Sequence, residues 1–233
     1  MTPVDADLLA DPAFMADLAS LNGALIDSLT AAGVAPQITG NPFYRHMQGE
    51  SLLTARFMTR NALKRARLVA LARQARSLFE VGVNGGHGIL LMMWANPGLH
   101  AAGVDLCGTV GAGNPRADIY GPVAMDWLRR RFPGRMRLMT GSSAEVLPAY
   151  AADPSAEGID LLRIDGARSL YDADFRALRP LLTPGARVIF DDPGWPQTRA
   201  TVERLMAEGA LIPDPDFLPE GGIFAADPVL RLA

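Results

Sequence analysis

The stretch FEVGVNGGHGILL, residues 79–91, joins a short β-type run, a glycine-rich turn and an apolar helix start. Its glycines do not follow the dinucleotide fingerprint Gly-x-Gly-x-x-Gly, because from Gly82 the chain reads Gly-Val-Asn-Gly-Gly-His. It is not a Walker loop either, since no Gly-Lys-Ser/Thr is present. The pattern that fits is Glu-x-Gly-x-x-x-Gly, formed by Glu80, Gly82 and Gly86. The turn therefore lacks the glycines that a bound pyrophosphate needs.

Beyond this turn, β-type runs alternate with helix-compatible stretches. Strands are predicted at 77–83, 100–106, 136–141, 159–165 and 186–192, and helices at 86–95, 122–131, 143–151 and 171–182. Apolar strands that alternate with helices predict an α/β fold, a parallel sheet with helices on both faces. A further helix is expected after residue 192. Residues 210–218 and 221–230 are expected to pair as an antiparallel hairpin at the sheet edge.

The composition limits the class of partner. The chain has 233 residues, one cysteine and a formal net charge of -3, so it can form no intramolecular disulfide and no thiolate zinc cluster. This charge gives no support to nucleic-acid or membrane binding. The acidic N-terminus does not resemble a signal peptide, and the apolar run GILLMMWA is too short to span a membrane. We expect a cytoplasmic protein with a small-molecule partner.

The first third of the chain has an uneven charge distribution. Residues 1–35 hold five Asp and no basic residue, whereas 44–76 carry eight Arg or Lys against the single Glu50. The apolar spacing in 44–76 predicts an amphipathic helix, whose basic face is either solvated or paired with the acidic N-terminal helices. We expect a helical cap over 1–75, which closes the pocket or forms a homodimer interface, and a ligand-binding domain over 76–233.

An acidic residue also ends the second predicted strand. Asp105 lies about twenty residues beyond Gly86, the distance at which nucleotide-binding sheets place the acid that binds ribose hydroxyls. This position favours a ribose-containing cofactor without distinguishing one from another. The alternative is a turn or capping aspartate.

The most informative stretch is IDLLRIDGARSLYDADFRALRPLLTPGARVIFDDPGW, residues 159–195. With residues 79–91, it resembles class I S-adenosylmethionine (SAM) dependent methyltransferases. The pattern is that of a small-molecule O-methyltransferase subgroup with sugar and antibiotic-tailoring members and catechol-type relatives. The resemblance covers about residues 60–195. It implies a Rossmann-like, doubly wound sheet of seven strands with one antiparallel strand. It also implies SAM-dependent methylation of an oxygen in a small secondary metabolite or sugar, as in natural product biosynthesis.

The resemblance also implies the residues that hold SAM. An acidic residue at the strand end supports a loop around the methionyl part, Asp105 binds the ribose, and residues after the second and third strands surround the adenine. The implied cofactor residues are Glu80, Gly82, Asn84, Gly85, Gly86, His87, Asp105, Leu106, Cys107, Ser142, Ser143 and Asp165. The sequence Ser142-Ser143-Ala-Glu145 is also a good helix N-cap, and both roles are compatible.

Three carboxylates fall at the ends of the fourth and fifth strands. Asp165 ends the fourth and Asp191 and Asp192 end the fifth, and neighbouring strands lie only ~4.8 Å apart. Carboxylates so close repel one another unless a cation lies between them, and oxygen ligands suit Mg²⁺, Mn²⁺ or Ca²⁺. In the resembling enzymes such a metal holds substrate hydroxyls. The alternatives are that these residues form turns, or that Arg163 and Asp165, on one strand face, form a buried pair.

Asp165 and Arg168 are the candidate catalytic residues. The subgroup has His at the position of Arg168 and the catechol-type enzymes have Lys, whereas an arginine stays protonated and is a poor base. Either a metal alone acidifies the acceptor, another group takes the proton, or Arg168 positions an anionic substrate. Two other functions remain open: a methyltransferase-like binding protein without turnover, and an NAD-linked oxidoreductase that uses Asp105.

Overall fold

The computed structural model describes residues 2–39, 41–44, 46–48, 57–108 and 116–233. The chain divides into two compact units. The first, which we call the helical unit, comprises Met1–Arg73, Val83–Pro97 and Cys107–Leu138. The second, the sheet unit, comprises Gln74–Gly82, Gly98–Leu106 and Met139–Ala233. The predicted division into a cap of 1–75 and a domain of 76–233 stays a prediction.

The described residues contain eight α-helices and nine strands. The helices are α1 Pro3–Ala10, α2 Pro12–Ala31, α3 Ala62–Ala72, α4 His87–Ala95, α5 Ala117–Arg131, α6 Ser143–Ala151, α7 Tyr171–Leu178 and α8 Pro196–Ala207. The strands are β1 Gln37–Thr39, β2 His46–Gln48, β3 Ser77–Val81, β4 His100–Asp105, β5 Met136–Thr140, β6 Ile159–Ile164, β7 Leu182–Phe190, β8 Leu211–Pro213 and β9 Val229–Leu232. Among these helices, none has the length and apolar composition needed to span a membrane.

Seven strands form one sheet in the order β5-β4-β3-β6-β7-β9-β8. Strand β3 is parallel to both β4 and β6, and β6 is parallel to β7. Strand β9 is antiparallel to β7 and β8. The predicted α/β class, the mostly parallel seven-stranded sheet and the terminal antiparallel pair are therefore confirmed.

Alternate residues of the parallel strands form the core of the sheet unit. Helices α6, α7 and α8 pack on this face of the sheet, and α7 contributes Tyr171, Phe175 and Leu178, which are fully buried at helical spacing. The strand residues of this core are Phe79, Val81, Leu162, Ile164, Val188 and Phe190. The packing fixes which residues of β3, β6 and β7 face away from these helices, among them Glu80 and Arg163.

The helical unit is held by capped N-terminal helices and a buried ion pair. Thr2 and Asp5 form a capping box on α1, and the side chain of Asp11 caps α2. Arg65 of α3 is fully buried and donates from Nε to Asp5 Oδ1 at 2.6 Å. The predicted pairing of the basic segment with the acidic N-terminus is confirmed at this position.

The predicted amphipathic helix over 44–76 is wrong at its start. Residues 46–48 form β2, antiparallel to β1, and α3 begins only at Ala62. The helix does not extend back to Met58, because Met58 N–H donates to Phe43 O at 2.7 Å and Met58 O accepts from Arg65. Asn41 Oδ1 accepts from the N–H groups of Phe43 and Tyr44, which holds a turn before β2. Residues 49–56 lie outside the described part of the chain.

Candidate active site

The parallel strands of the sheet unit end together at one edge, which we call the carboxyl edge. The strand hydrogen bonding continues one residue beyond the strands: Gly82 N donates to Val104 O at 2.8 Å, Asp165 N to Val81 O at 2.8 Å, and Asp191 N to Ile164 O at 3.0 Å. Asp105 O accepts in the same way from Gly141 N at 2.9 Å. Gly82, Asp105, Asp165 and Asp191 are thus brought to one edge. Ligands of open α/β sheets bind at this end of the strands.

Gly82 is the residue at which only glycine fits. Its φ is +88°, and a Cβ atom there would lie 2.4 Å from Asp165 O and 2.9 Å from Gly166 N. Both obstacles are backbone atoms, so a rotamer change cannot relieve the collision. The first glycine of the motif is therefore required by the close approach of two chain segments.

Glu80 lies one residue before the end of β3 and is fully buried. Its Oε1 accepts a hydrogen bond from Arg163 Nη1, its neighbour in the β3–β6 register. Its Oε2 is buried and has no hydrogen-bond partner among the described residues. A buried carboxylate oxygen without a partner is costly, and a bound ligand's donor group would satisfy it.

Arg163 connects the carboxylates of three strands. Its Nη2 donates to Asp165 Oδ2 and to Asp191 Oδ2, each at 2.5 Å, and its side chain is only 5% exposed. Burial alone would lower the pKa of Arg163, but the carboxylates of Asp165, Asp191 and Asp227 outweigh it and raise the pKa above its ordinary value. The buried Arg163–Asp165 pair considered from the sequence is present.

Arg168 lies on the solvent side of this cluster. Its Nη2 donates to Asp192 Oδ2, and its guanidinium carbon lies 4.3 Å from the centroid of the Trp195 ring. Asp192 adopts the left-handed region with φ +59° and its N–H donates to Asp191 Oδ1 at 2.7 Å. Trp195 is 50% exposed. The pair thus offers a cation and an aromatic surface at the end of β7.

These carboxylates do not fit the predicted metal site. The described residues contain no group of three or more His, Cys, Asp or Glu that could hold a metal ion. Asp191 uses both oxygens, one for Arg163 and one for the N–H of Asp192, and Asp192 is paired with Arg168. The cation expected between the strands is a guanidinium.

Three of the residues predicted to surround the adenine belong to the sheet unit, namely Leu106, Ser142 and Ser143. Leu106 is exposed after β4, and Ser142 is the N-cap residue of α6, although its side chain makes no capping hydrogen bond. Ser143 lies beside Asp174 of α7. Burial raises the pKa of Asp174 to about 6, and the nearby Ser143 side chain opposes this shift.

The helical unit holds four other predicted cofactor residues in the turn that leads into α4. Asn84 has φ +52° and its Oδ1 accepts from the Tyr120 hydroxyl at 2.6 Å. Gly86 is the N-cap residue of α4 with φ +78°, and a Cβ there would lie 2.9 Å from Leu128 Cδ1. A Cβ at Gly85 would lie 2.9 Å from His87 Nδ1. Close contacts inside the helical unit thus constrain both glycines.

His87 is buried as a neutral imidazole. Burial lowers its pKa to about 4. Its Nε2 lies 2.7 Å from Asn22 Oδ1, an acceptor, so Nε2 carries the proton. The buried Nδ1 has no hydrogen-bond partner among the described residues.

Cys107 is a half-buried cysteine of the helical unit. Its φ is +48° and its Sγ lies 3.5 Å from Met125 Sδ. A Cβ at Gly121 would lie 3.1 Å from the sulfur, so α5 passes close to this turn. The partners Asn22, Tyr120 and Asp174 were not predicted. They are far in sequence from the residues they contact, and no local pattern reports such pairings.

A glycine-only turn after β3, an acidic residue at the end of β4 and carboxylates after β6 and β7 are the features that the resemblance to SAM-dependent methyltransferases implies. Residues 79–193 match the family model described as "Methyltransferase domain". The chain thus carries a methyltransferase domain, and the class predicted from the sequence is confirmed. This match gives no support to the NAD-linked alternative. None of the curated proteins matches the sequence.

Solved structures share the fold over nearly the whole chain. Rv0187 from MTB, solved with cofactor bound, has a TM-score of 0.59 at 20% identity, covering 100% of this chain and 98% of its own. An O-methyltransferase from Bacillus cereus in complex with SAH has 0.58 at 15%, covering 92% and 91%. The O-methyltransferase TomG from Streptomyces achromogenes, involved in tomaymycin synthesis and solved with SAM, has 0.56 at 17%, covering 91% and 87%. These likenesses establish the fold that O-methyltransferases use.

Proposed function

We propose that this protein transfers the methyl group of SAM to an oxygen atom of a small molecule at the carboxyl edge of the sheet unit. The observation that carries the proposal is the turn at Gly82. A Cβ atom at this position would lie 2.4 Å from Asp165 O, so no residue with a side chain fits there. This turn brings the end of β3 against the backbone that follows β6, at the edge where ligands of open α/β sheets bind. The methyltransferase-domain match over 79–193 supports the same reaction.

The residues at this edge fit SAM. Glu80 Oε2 is a buried acceptor without a hydrogen-bond partner among the described residues, so it could accept from a cofactor donor group. Asp105 is the last residue of β4, the position at which nucleotide-binding sheets place the acid that binds a ribose. Leu106, Ser142 and Ser143 are proposed to surround the adenine. The roles of Asn84, Gly85, Gly86, His87 and Cys107 in the helical unit stay predictions. SAM supplies an activated methyl group, so the chain's own task is to align the acceptor, exclude water and remove a proton.

The surface formed by Arg168 and Trp195 favours a planar acceptor, since the charge of Arg168 is paired with Asp192. Trp195 exposes half of its surface next to the Arg168 guanidinium, and aromatic rings and arginines bind planar groups. TomG, a structural neighbour, is involved in tomaymycin synthesis. We propose that the acceptor here is likewise a secondary metabolite.

Proton removal falls to a carboxylate of the carboxyl edge. A guanidinium has only donor groups and no acceptor, so Arg168 is not the base. Asp165, with 21% of its side chain exposed, is the most accessible of the three carboxylates that Arg163 holds. A carboxylate paired with arginine is a weak base, so the acceptor hydroxyl must itself be acidic. A phenol, with a pKa near ~10, meets this requirement better than an aliphatic sugar hydroxyl.

Methyl transfer from radiolabelled SAM to a panel of phenols, catechols, flavonoids and sugars tests the proposal. We expect turnover on phenolic acceptors, and a fall in kcat of about 10²-fold in Asp165→Asn. The matched control is Asp172→Asn, which removes a carboxylate of the same unit that pairs with Arg176. Binding of S-adenosylhomocysteine (SAH) without turnover on any acceptor would instead support the methyltransferase-like binding protein.

A homodimer through the N-terminal helices, a cytoplasmic location and the lack of nucleic-acid or membrane partners are proposals that follow from composition. Sedimentation of the purified chain tests the first. A single species at twice the chain mass, converted to monomer by charged substitutions on α1, supports the dimer.

A further inference from the structure

We infer that the guanidinium of Arg163 takes the place of a divalent metal ion. It positions Asp165, so that methyl transfer needs no metal. This inference rests on the proposed function. It departs from what the resemblance implies, because the resembling enzymes use a metal to bring the acceptor hydroxyl to the sheet edge.

The geometry around Arg163 carries the inference. Its Nη2 lies 2.5 Å from both Asp165 Oδ2 and Asp191 Oδ2, and its Nη1 donates to Glu80 Oε1. The three carboxylates come from the ends of three neighbouring strands, β6, β7 and β3. The repulsion among Asp165, Asp191 and Asp192 was the reason to expect a cation. One guanidinium fork meets two of these carboxylates, and that of Glu80 as well, with the directed hydrogen bonds that carboxylates prefer.

Three of the carboxylate oxygens of Asp191 and Asp192 that a metal would need are already engaged. A divalent cation such as Mg²⁺ requires several oxygens that converge on one point. Asp191 Oδ2 binds Arg163 and its Oδ1 accepts from Asp192 N–H, while Asp192 Oδ2 accepts from Arg168. A metal at the same place would also lie against the positive charge of the Arg163 guanidinium, whose side chain is only 5% exposed.

Arg163 also explains why Asp165 is oriented without a metal. The carboxylates of Glu80 and Asp191 are buried to 1% and 5% exposure, whereas that of Asp165 is 21% exposed. The fork holds one oxygen of Asp165 toward the interior. The rest of this side chain is at the surface of the carboxyl edge, where an acceptor hydroxyl can reach it. Arg163 is therefore a positioning residue that acts through Asp165.

Titration of the protein with Mn²⁺ tests the inference without an acceptor. Electron paramagnetic resonance monitors Mn²⁺ binding, and the melting temperature (Tm) reports its effect on stability. For the wild-type protein we expect no saturable Mn²⁺ binding at millimolar concentration and no change in Tm. Treatment with EDTA should leave SAH affinity, and transfer to any acceptor found in the panel, unchanged. In Arg163→Met the three carboxylates lose their cation, and Mn²⁺ should bind the variant and raise its Tm by several degrees.

Arg187→Met is the matched control. Arg187 also pairs with a buried carboxylate of the sheet unit, Asp214, but away from the Glu80, Asp165 and Asp191 cluster. Its loss should destabilise the protein without creating Mn²⁺ binding. A gain of Mn²⁺ binding confined to Arg163→Met supports the inference, because a purely structural arginine would not produce it.

The wild-type measurement decides the question even where Arg163→Met fails to fold. Stoichiometric Mn²⁺ binding to the wild type that disappears in Asp191→Asn overturns the inference, as does loss of transfer with EDTA that Mn²⁺ restores. The proposed function survives either result as long as SAH binds. Absence of SAH binding refutes the proposed function instead, so the two failures are distinguishable.

Discussion

Replacement of Gly82 by alanine should damage both the fold and the cofactor site, and Gly185 provides an internal comparison. Both glycines have positive φ, +88° and +78°. At Gly185 a Cβ atom would meet nothing within 4 Å, whereas at Gly82 it would lie 2.4 Å from Asp165 O and 2.6 Å from the carbonyl carbon. The two substitutions therefore share the backbone strain and differ in the steric collision.

The expected magnitudes follow from this difference. A left-handed conformation costs an ordinary residue roughly 1–2 kcal/mol, which is the expected loss for Gly185→Ala. Overpacking against atoms that cannot withdraw costs roughly a further 1–3 kcal/mol at Gly82. The collision is with backbone whose own hydrogen bond, Asp165 N to Val81 O at 2.8 Å, ties β3 to β6. Gly82→Ala should thus lose about 2–5 kcal/mol of the free energy of unfolding.

Urea unfolding of both variants at neutral pH, with SAH titration of the folded proteins, measures the effect. We expect Gly82→Ala to be the less stable by about 1–3 kcal/mol and to bind SAH at least ~10-fold more weakly, while Gly185→Ala keeps wild-type affinity. Equal stability of the two variants and unchanged SAH affinity of Gly82→Ala would refute the account of this turn.

Three further predictions concern buried charges. Burial raises the pKa of Asp174 to about 6 and so penalises its ionised form. Asp174→Asn should therefore raise the free energy of unfolding by about 1–3 kcal/mol above pH 6, and this gain should fade toward pH 4. Urea midpoints measured over a series of pH values test this. Burial lowers the pKa of His87 to about 4. The free energy of unfolding should therefore fall by up to ~3 kcal/mol as the pH falls from 6.5 to 4. His87→Gln should flatten that part of the acid-unfolding curve, which circular dichroism monitors. Arg65→Met, which leaves Asp5 buried and unpaired, should cost about 3–5 kcal/mol in thermal or urea unfolding, whereas Arg116→Met at an exposed pair should leave stability unchanged. Wild-type stability of Arg65→Met, an unchanged acid-unfolding curve of His87→Gln, or a pH-independent gain for Asp174→Asn would contradict these assignments.

The sequence was most informative where local patterns determine structure. The strands that end near Gly82, Asp105 and Asp165 were predicted within one or two residues, because apolar runs and turn residues mark their bounds. The spacing of two between Arg163 and Asp165 placed them on one strand face. That spacing could not show that Glu80 and Asp191 meet the same guanidinium, since this depends on the register of three strands.

Other features depend on contacts between distant residues. Strand β2 was missed because it is held by its pairing with β1, which no pattern within the basic segment reports. The pairing of His87 with Asn22 joins residues far apart in sequence. The metal prediction rested on the repulsion of neighbouring carboxylates, and the sequence did not show whether an arginine or a metal lies between them.

The most direct test of the central claim is calorimetric titration of the wild-type protein and of Asp105→Asn with SAH, with NAD as the competing ligand. The account predicts a micromolar dissociation constant for SAH, a loss of at least ~10-fold in the variant, and no heat with NAD. Absence of SAH binding to the folded wild-type protein, or binding of NAD that Asp105→Asn abolishes, would contradict it.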